Sequence, residues 1–346
     1  MSKRISAVLV LALTLSALLL TSFTYGQLNN TLRVSFIDVG QGDSIWLHAS
    51  DDTDILIDGG RRSAGPTVVA HLQAKGIDDI DVLILSHGDA DHIGGLIDVL
   101  QSAISVESVI YNGQHRDTST YLDLLAEMQA RGLTPTPAQI GQAYTWGEVD
   151  ASVLNPQETP TGDQNEDSVV MLVTYGDTDF LFTGDIGESA EQTILDSGTP
   201  VAAEVLKVAH HGSKYSSSAD FLEAVGVEVG VISVGDNPYG HPTDETLNRL
   251  RTAGARIFRT DRRGTITVTT DGQTYELEPD FLVFLPLAAR MAGSVPTDTP
   301  PGTTGNVVIT DLFYDGVEGR QEPDEYVEIR NDDDRAIQLS GWTLRD

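Results

Sequence analysis

Ser86–Gly95, SHGDADHIGG, constrains this chain more than any other stretch. Four side chains able to hold a metal ion, His87, Asp89, Asp91 and His92, fall within it. The residues before it, Asp81–Leu85, are a short continuous apolar run, which reads as a buried strand rather than a helix. Gly94 and Gly95 follow at once, and Leu96–Leu100 opens a helical pattern. A loop at the carboxyl end of a buried strand is where α/β sheets place their chemistry. In an extended loop His87, Asp89 and Asp91 would project to one side, because side-chain direction repeats every second residue. Asp91 and His92, being adjacent, then suit two neighbouring ions better than one. Imidazole with carboxylate fits zinc, manganese or iron. Two such ions about 3.5–4 Å apart form a clamp for an attacking water and a leaving oxygen. The bland reading is a solvated acidic turn with incidental histidines.

The stretch resembles the metallo-β-lactamase superfamily signature His-x-His-x-Asp-His, with Asp89 in the second histidine slot. His-x-Asp-x-Asp-His followed by Gly-Gly is similar to the competence-type branch, the extracellular domain of ComEC-type DNA-uptake proteins. Asp38–Asp43 (DVGQGD) is similar to that branch's opening motif. The resemblance puts Gln41 and Asp43 beside the metals; the glycines alone indicate only a hairpin turn. Asp58, at the end of the strand Ile55–Asp58, would support the metal loop by hydrogen bonds, or else cap a turn. This chain lacks the histidine that other members carry near residue 165. Asn165 and Ser168 fit the competence branch there, bonding a phosphate or the metal-held water, or simply capping their loop.

Thr183–Asp185 follows the short strand Phe180–Phe182, and the resemblance makes Asp185 the ligand that bridges two ions. On its own Asp185 would be a helix N-cap. The strand Val205–Ala209 runs into His210 and His211. The resemblance makes one of them a ligand of the second ion; His210 is the choice, with His211 facing substrate or the outer shell. Lys207, a lysine inside an apolar strand, would neutralise nearby carboxylates, since a buried unpaired charge is costly. Asn237–Pro242 (NPYGHP) is similar to a further motif of the branch. His241 would protonate the leaving oxygen or hold a phosphate oxygen, its ordinary pKa near ~6.5 suiting proton transfer; otherwise it is a structural turn histidine. Asp91, His241 and Lys207 are thus the candidate catalytic residues. His87, Asp89, Asp91, His92, Asp185 and His210 are the candidate ligands of two divalent ions, zinc or manganese. Arg259, Arg262 and Arg263 would contact phosphates or pair with the protein's own carboxylates. His115, on a polar turn, is read as a surface histidine.

Residues 1–26 carry Lys3 and Arg4, the apolar run Ala7–Leu20 and a small-residue region at Thr24–Gly26, which reads as a secretory signal. The alternative is an uncleaved anchor holding the protein at a membrane or cell surface. There is no cysteine, which excludes disulfides, zinc–thiolate sites and a cysteine nucleophile. Acidic residues number 52 against 21 basic, for a net charge of −31. Such a surface repels itself and any nucleic acid at low salt. At ~1 M salt the Debye length falls to ~3 Å and the repulsion is screened, so the composition reads as halophilic.

The expected organisation is a signal at 1–26, a catalytic domain at 31–279, a connecting segment and linker at 280–305, and 306–346. Helical patterns are expected at Pro66–Lys75, Ser119–Ala130 and Ser216–Ala224, and a hairpin around Asp271–Gly272. Periodicity gives an α/β fold; the resemblance narrows it to a four-layer αββα sandwich. Residues 306–346 resemble the first strands of a lamin-tail domain, an immunoglobulin-like all-β sandwich. The function implied is a secreted metal-dependent nuclease or phosphodiesterase acting on DNA through a dinuclear centre and metal-bound hydroxide. The alternatives are hydrolysis of another ester, amide or thioester, and a non-catalytic surface binder.

Overall fold

The computed structural model describes residues 30–278 and the backbone of two later strands, Val307–Phe313 and Tyr326–Asn331. The chain divides into two units, Met1–Leu277 and Glu278–Asp346. In the first unit one sheet holds Leu32–Phe36 (β1), Ile45–Ala49 (β2), Asp54–Ile57 (β3), Asp79–Leu85 (β4), Ser105–Tyr111 (β5), Thr136–Pro137 (β6), Ile266–Thr270 (β14) and Tyr275–Glu278 (β15). Its strand order is β15-β14-β1-β2-β3-β4-β5-β6. The second sheet holds Ala143–Trp146 (β7), Val149–Asn155 (β8), Val170–Tyr175 (β9), Thr178–Phe182 (β10), Val205–Lys207 (β11), Val229–Ile232 (β12) and Arg256–Arg259 (β13), running from β13 to β7 in reverse chain order.

Both sheets are antiparallel in one part and parallel in the other. β3 to β6 and β10 to β13 are parallel, and each needs a crossover. The crossovers are helical: Gly65–Ala74 (α1), Ala90–Ile93 (α2) with Leu96–Gln101 (α3), and Ser119–Ala130 (α4) for the first sheet; Glu188–Asp196 (α5), Ala219–Val225 (α6) and Asp244–Thr252 (α7) for the second. Phe36, Leu47, Val153, Phe180 and Val231 share one core between the sheets, with the Phe36 and Phe182 rings 6.2 Å apart. Trp46, Leu72, Leu96 and Leu124 seal the helices onto the outer face of the first sheet. Leu206, Phe221 and Leu250 do the same for the second. Helix, sheet, sheet, helix is the four-layer arrangement expected, and burying both faces explains the near-continuous apolar strands β4 and β12. The parallel strands β4, β10, β11 and β12 all end in the loops that carry the candidate site.

The structure differs from the sequence reading in two regions. Strands β6, β7 and β8 occupy a region where no strand is expected. β7 and β8 form a hairpin whose turn uses Gly147 at φ +55, and β7 is only half-buried, so its pattern is weak. The helix expected at Ser216–Ala224 begins at Ala219 instead. Ser217 is left-handed (φ +56), and the amides of Ser217 and Ser218 donate to the buried Glu191 carboxylate, so neither joins the helix. The hairpin joining β9 and β10 turns at Gly176 and Asp177. The hairpin at Asp271–Gly272 is present, with Asp271 accepting the amides of Gln273 and Thr274. Val307–Phe313 and Tyr326–Asn331 pair antiparallel. The rest of 306–346, the signal at 1–26 and the linker at 280–305 lie outside the described residues. Among the described residues no helix is long and apolar enough to cross a membrane.

Candidate metal centre

Asp89 is extended (φ −81, ψ 149) and precedes the single helical turn Ala90–Ile93. The expected extended run therefore stops at Asp89. Helical geometry turns Asp91 and His92 toward a common point, where each has a ligand atom within 4.8 Å of the other and of His211. The expectation that adjacent Asp91 and His92 serve separate points is corrected by this turn. Close backbone packing fixes the loop: a Cβ at Gly95 would strike the Gly59 carbonyl, and one at Gly42 the Asp91 carbonyl.

Three imidazoles converge beside it. The Nε2 atoms of His87, His92 and His211 are buried and have no hydrogen-bond partner. Their Nδ1 atoms are all held: His92 by Asp58 Oδ2 at 2.8 Å, His211 by the Ser233 carbonyl at 2.8 Å, His87 by Ser86 Oγ at 3.0 Å. The carboxylate and the carbonyl only accept, so His92 and His211 donate from Nδ1 and turn their Nε2 lone pairs inward. Asp185 Oδ2 lies 3.3 Å from Nε2 of both His92 and His211, and Asp91 Oδ2 is 3.8 Å from His211 Nε2. The atoms form overlapping triads, His87–His92–Asp185, Asp91–His92–His211 and Asp43–Asp185–His211. Orphaned buried acceptors are costly and rare. Three of them aimed at one space among carboxylates, each ring oriented from behind, is a donor set that fits divalent cations such as zinc or manganese.

A model of the metallo-beta-lactamase superfamily matches residues 37–236. The chain belongs to that superfamily. It is 31% identical over 262 residues to ComE operon protein 3 of Bacillus subtilis (strain 168), covering 70% of this chain and 34% of that protein. It is 34% identical over 241 residues to competence protein ComA of Neisseria gonorrhoeae, covering 68% of this chain and 32% of that one. The chain thus spans about a third of the length of these relatives. Among solved structures, the metallo-beta-lactamase fold protein YhfI from Bacillus subtilis aligns with a TM-score of 0.47 at 14% identity, covering 70% of this chain and 100% of that one.

Two acids and a lysine lie behind the superfamily's histidines here. Lys207 Nζ pairs with Asp43 Oδ2, donates to the Gly184 carbonyl at 2.8 Å and lies 3.4 Å from Asp185 Oδ1. Burial alone would lower the lysine's pKa, but Asp43 and Asp185 outweigh it and raise it. Burial would raise the Asp185 pKa, yet His211, His92 and Lys207 hold it well below the usual carboxylate range. His92 and His211 are raised, burial being outweighed in both cases by Asp185, helped by Asp58 for His92 and by Asp43 for His211. His87 is pushed well down by burial, with the neighbouring His92 adding to it. The extra protons that this favours on His92 and His211 are the ones a cation would displace.

Asp58 accepts from the Ser86 amide at 2.9 Å and from Ser86 Oγ as well as from His92, tying the metal loop to β3. Ser168 Oγ accepts the Asp185 amide at 3.2 Å. Asn165 is half-buried, and its carbonyl accepts the Ser168 amide within the loop. Asp89 stands outside the triads: one oxygen pairs with Arg116, and the other is 3.8 Å from His87 Nε2. Burial raises the Asp89 pKa and Arg116 opposes the rise. His210 also stands outside them, with its side chain 31% exposed and Nε2 3.9 Å from Asp185 Oδ2. Of the paired histidines, then, His211 rather than His210 points into the cluster. Both take left-handed backbone, φ 50 and φ 54, which turns their side chains apart.

His241 packs its ring against His210 at 5.6 Å, and burial, with His210 and His211 nearby, lowers its pKa to about 4. The ordinary value near ~6.5 assumed for proton transfer does not hold here, because the ring is partly desolvated among other imidazoles. Arg116 and Gln164 were not among the candidates, whereas Asp43 was expected beside the metals. Asp43 lies in the DVGQGD turn, which carried a signal; Gln164, whose Oε1 accepts the Gly88 amide at 3.0 Å, carried none. His115 is exposed beside Asp117, and Arg259 pairs with Asp261 at 2.6 Å.

Proposed function

We propose that this protein is a metal-dependent hydrolase of phosphodiester bonds in DNA, exported from the cell by residues 1–26. The observation that carries the reading is the buried convergence of orphaned Nε2 atoms on His87, His92 and His211 with Asp91 and Asp185. His87 with Asp185 would hold one divalent cation, and Asp91, His92 and His211 a second. Bound there, the ions would supply Lewis-acid polarisation of a phosphoryl oxygen and an activated water. The chain's own groups do the rest. Asp58 and Ser233 orient His92 and His211 from behind. Lys207 neutralises Asp43 and Asp185, and with His92 and His211 it keeps the buried Asp185 ionised. His241, neutral at pH 7, offers a hydrogen bond to a phosphate or leaving-group oxygen at the mouth.

DNA as the substrate is supported by the likeness to a relative named competence protein ComA. The His-x-Asp-x-Asp-His motif, shared with that branch rather than with the lactam-cleaving members, supports it too. The acidic surface fits work at high salt. The test is degradation of single- and double-stranded DNA and of bis(p-nitrophenyl) phosphate by the zinc- or manganese-loaded full chain in ~1 M salt. Chelator-sensitive cleavage, lost in Asp91→Ala with the fold retained, is expected. Metal-loaded protein that leaves every phosphodiester intact while turning over a β-lactam or thioester would replace this reading with the alternative one. Binding of metal without any turnover would point to a surface binder.

A further inference from the structure

Resting on the phosphodiesterase reading, we infer that Tyr239 is a stacking platform for an unpaired base, which makes single-stranded nucleic acid the substrate class of this site. Among the described residues the large hydrophobic side chains left exposed are Leu122, Tyr215 and Tyr239, at 46%, 68% and 67%. Both tyrosines lie on loops that carry site residues: Tyr215 follows His211 by four positions, and Tyr239 precedes His241 by two. These loops abut, with the Thr243 amide donating to the Gly212 carbonyl at 3.0 Å.

Rings run without a break from Tyr239 into the cluster. Tyr239 lies 5.7 Å from His241 at an interplanar angle of 34°, and His241 lies 5.6 Å from His210. His210 is in turn 6.3 Å from His211, whose Nε2 faces Asp185. A strand whose phosphate reaches the cluster would therefore have an aromatic face along its path at Tyr239.

The ring is exposed without being loose. Asn237 makes four bonds that set this turn: its Oδ1 accepts the amides of Tyr239 at 3.1 Å and His241 at 3.0 Å, and its Nδ2 donates to the Gly235 and His241 carbonyls, both at 2.8 Å. A large apolar ring held out to solvent by a braced turn loses little further freedom on binding.

Charge makes such a contact necessary. Proteins that bind nucleic acid usually gain affinity by releasing counterions with lysine and arginine. A chain at net −31 has little of that to offer, and high salt would weaken what remains. Base–aromatic stacking survives screening and needs a base whose face is open. Paired bases in a duplex hide theirs.

The test uses the metal-loaded full chain in ~1 M salt. A labelled thymidine oligonucleotide is followed by anisotropy, and its cleavage is compared with that of bis(p-nitrophenyl) phosphate, which carries no base. Tyr239→Ala is expected to weaken oligonucleotide binding by about 5- to 150-fold, the loss of one stacked base. The ratio of KM for the oligonucleotide to KM for bis(p-nitrophenyl) phosphate should rise by a similar factor, while Tyr239→Phe keeps both values. Wild-type protein should bind the oligonucleotide tighter than the matching duplex. Unchanged oligonucleotide binding in Tyr239→Ala, an equal loss on both substrates, or failure of Tyr239→Phe to restore binding overturns the inference. Tyr239-dependent binding without cleavage of any phosphodiester would sustain the platform and overturn the hydrolase reading. Cleavage of bis(p-nitrophenyl) phosphate without oligonucleotide binding would do the reverse.

Discussion

The two sheets contribute to the centre in different ways. The first gives His87, Asp91 and His92 from one loop after β4, and holds them through side chains: Asp58 accepts from Ser86 and His92 together. The second gives one residue after β10 and two at the end of β11. Asp185 follows β10, Lys207 closes β11, and His211 follows it; the Gly184 carbonyl accepts from Lys207 and the Ser233 carbonyl from His211. The contiguous half depends on a few side-chain bonds that single substitutions remove. The scattered half depends on strand register, which single substitutions leave intact.

The sharpest break in this comparison is Lys207→Met. It leaves Asp43 and Asp185 buried without their cation, and losing one partner of a buried pair costs about 3–5 kcal/mol. Denaturant unfolding of metal-stripped protein should show that loss. Added zinc should restore much of it, because a cation neutralises the same carboxylates. Next come the ligands. Asp91→Ala and His211→Ala should each reduce phosphodiester turnover by ~100-fold or more, beyond the 10–100-fold typical of outer partners, while His210→Ala stays below that. Equal losses at His210 and His211 would erase the distinction drawn between them.

Asp58→Ala should weaken metal binding by ~10–100-fold, read by competition with a chelating indicator. Ser168→Ala, across the cluster, should do less, since Asp185 keeps its strand. Equal effects would mean that the two halves are braced alike.

The smallest effect lies away from the centre. Trp46 is flanked by two histidine rings, His48 at 5.3 Å and His71 at 5.7 Å. The hydrogen bond to Asp54 raises the His48 pKa, whereas burial lowers that of His71. The stabilisation from His48 is full below its unfolded value near ~6.5 and is lost as pH rises through its raised folded value. His71 works the other way, costing stability as pH falls from ~6.5 through its lowered folded value. His48→Gln should remove the loss on the alkaline side, worth at most about 1 kcal/mol for a partly exposed pair. NMR titration of the two rings should show midpoints on opposite sides of ~6.5.

Much of this centre was legible in SHGDADHIGG, because a metal site needs its donor types whatever surrounds them and a dense local motif puts them in one window. Helices such as Ser119–Ala130 were legible from apolar spacing, and the structure adds a cap at Thr118, whose side chain accepts the Tyr121 amide. The half-buried hairpin of β7 and β8 was not, since its pattern follows from packing on a sheet formed by distant residues. Nor did His210-His211 say which ring turns inward, because neighbours in sequence separate only once the backbone angles are set.

The amino-acid order by itself determined the donor set, the strand–loop–helix setting of the first motif and the α/β class, all properties of short windows. Tertiary structure alone decided that Asp43 and Lys207 meet behind Asp185, that Asp89 turns to Arg116, and that His211 faces the cluster. Asp43 with Lys207 and His211 with the cluster join segments from opposite sheets, and Asp89 with Arg116 joins loops after neighbouring strands, so their geometry exists only after the sheets have formed and packed.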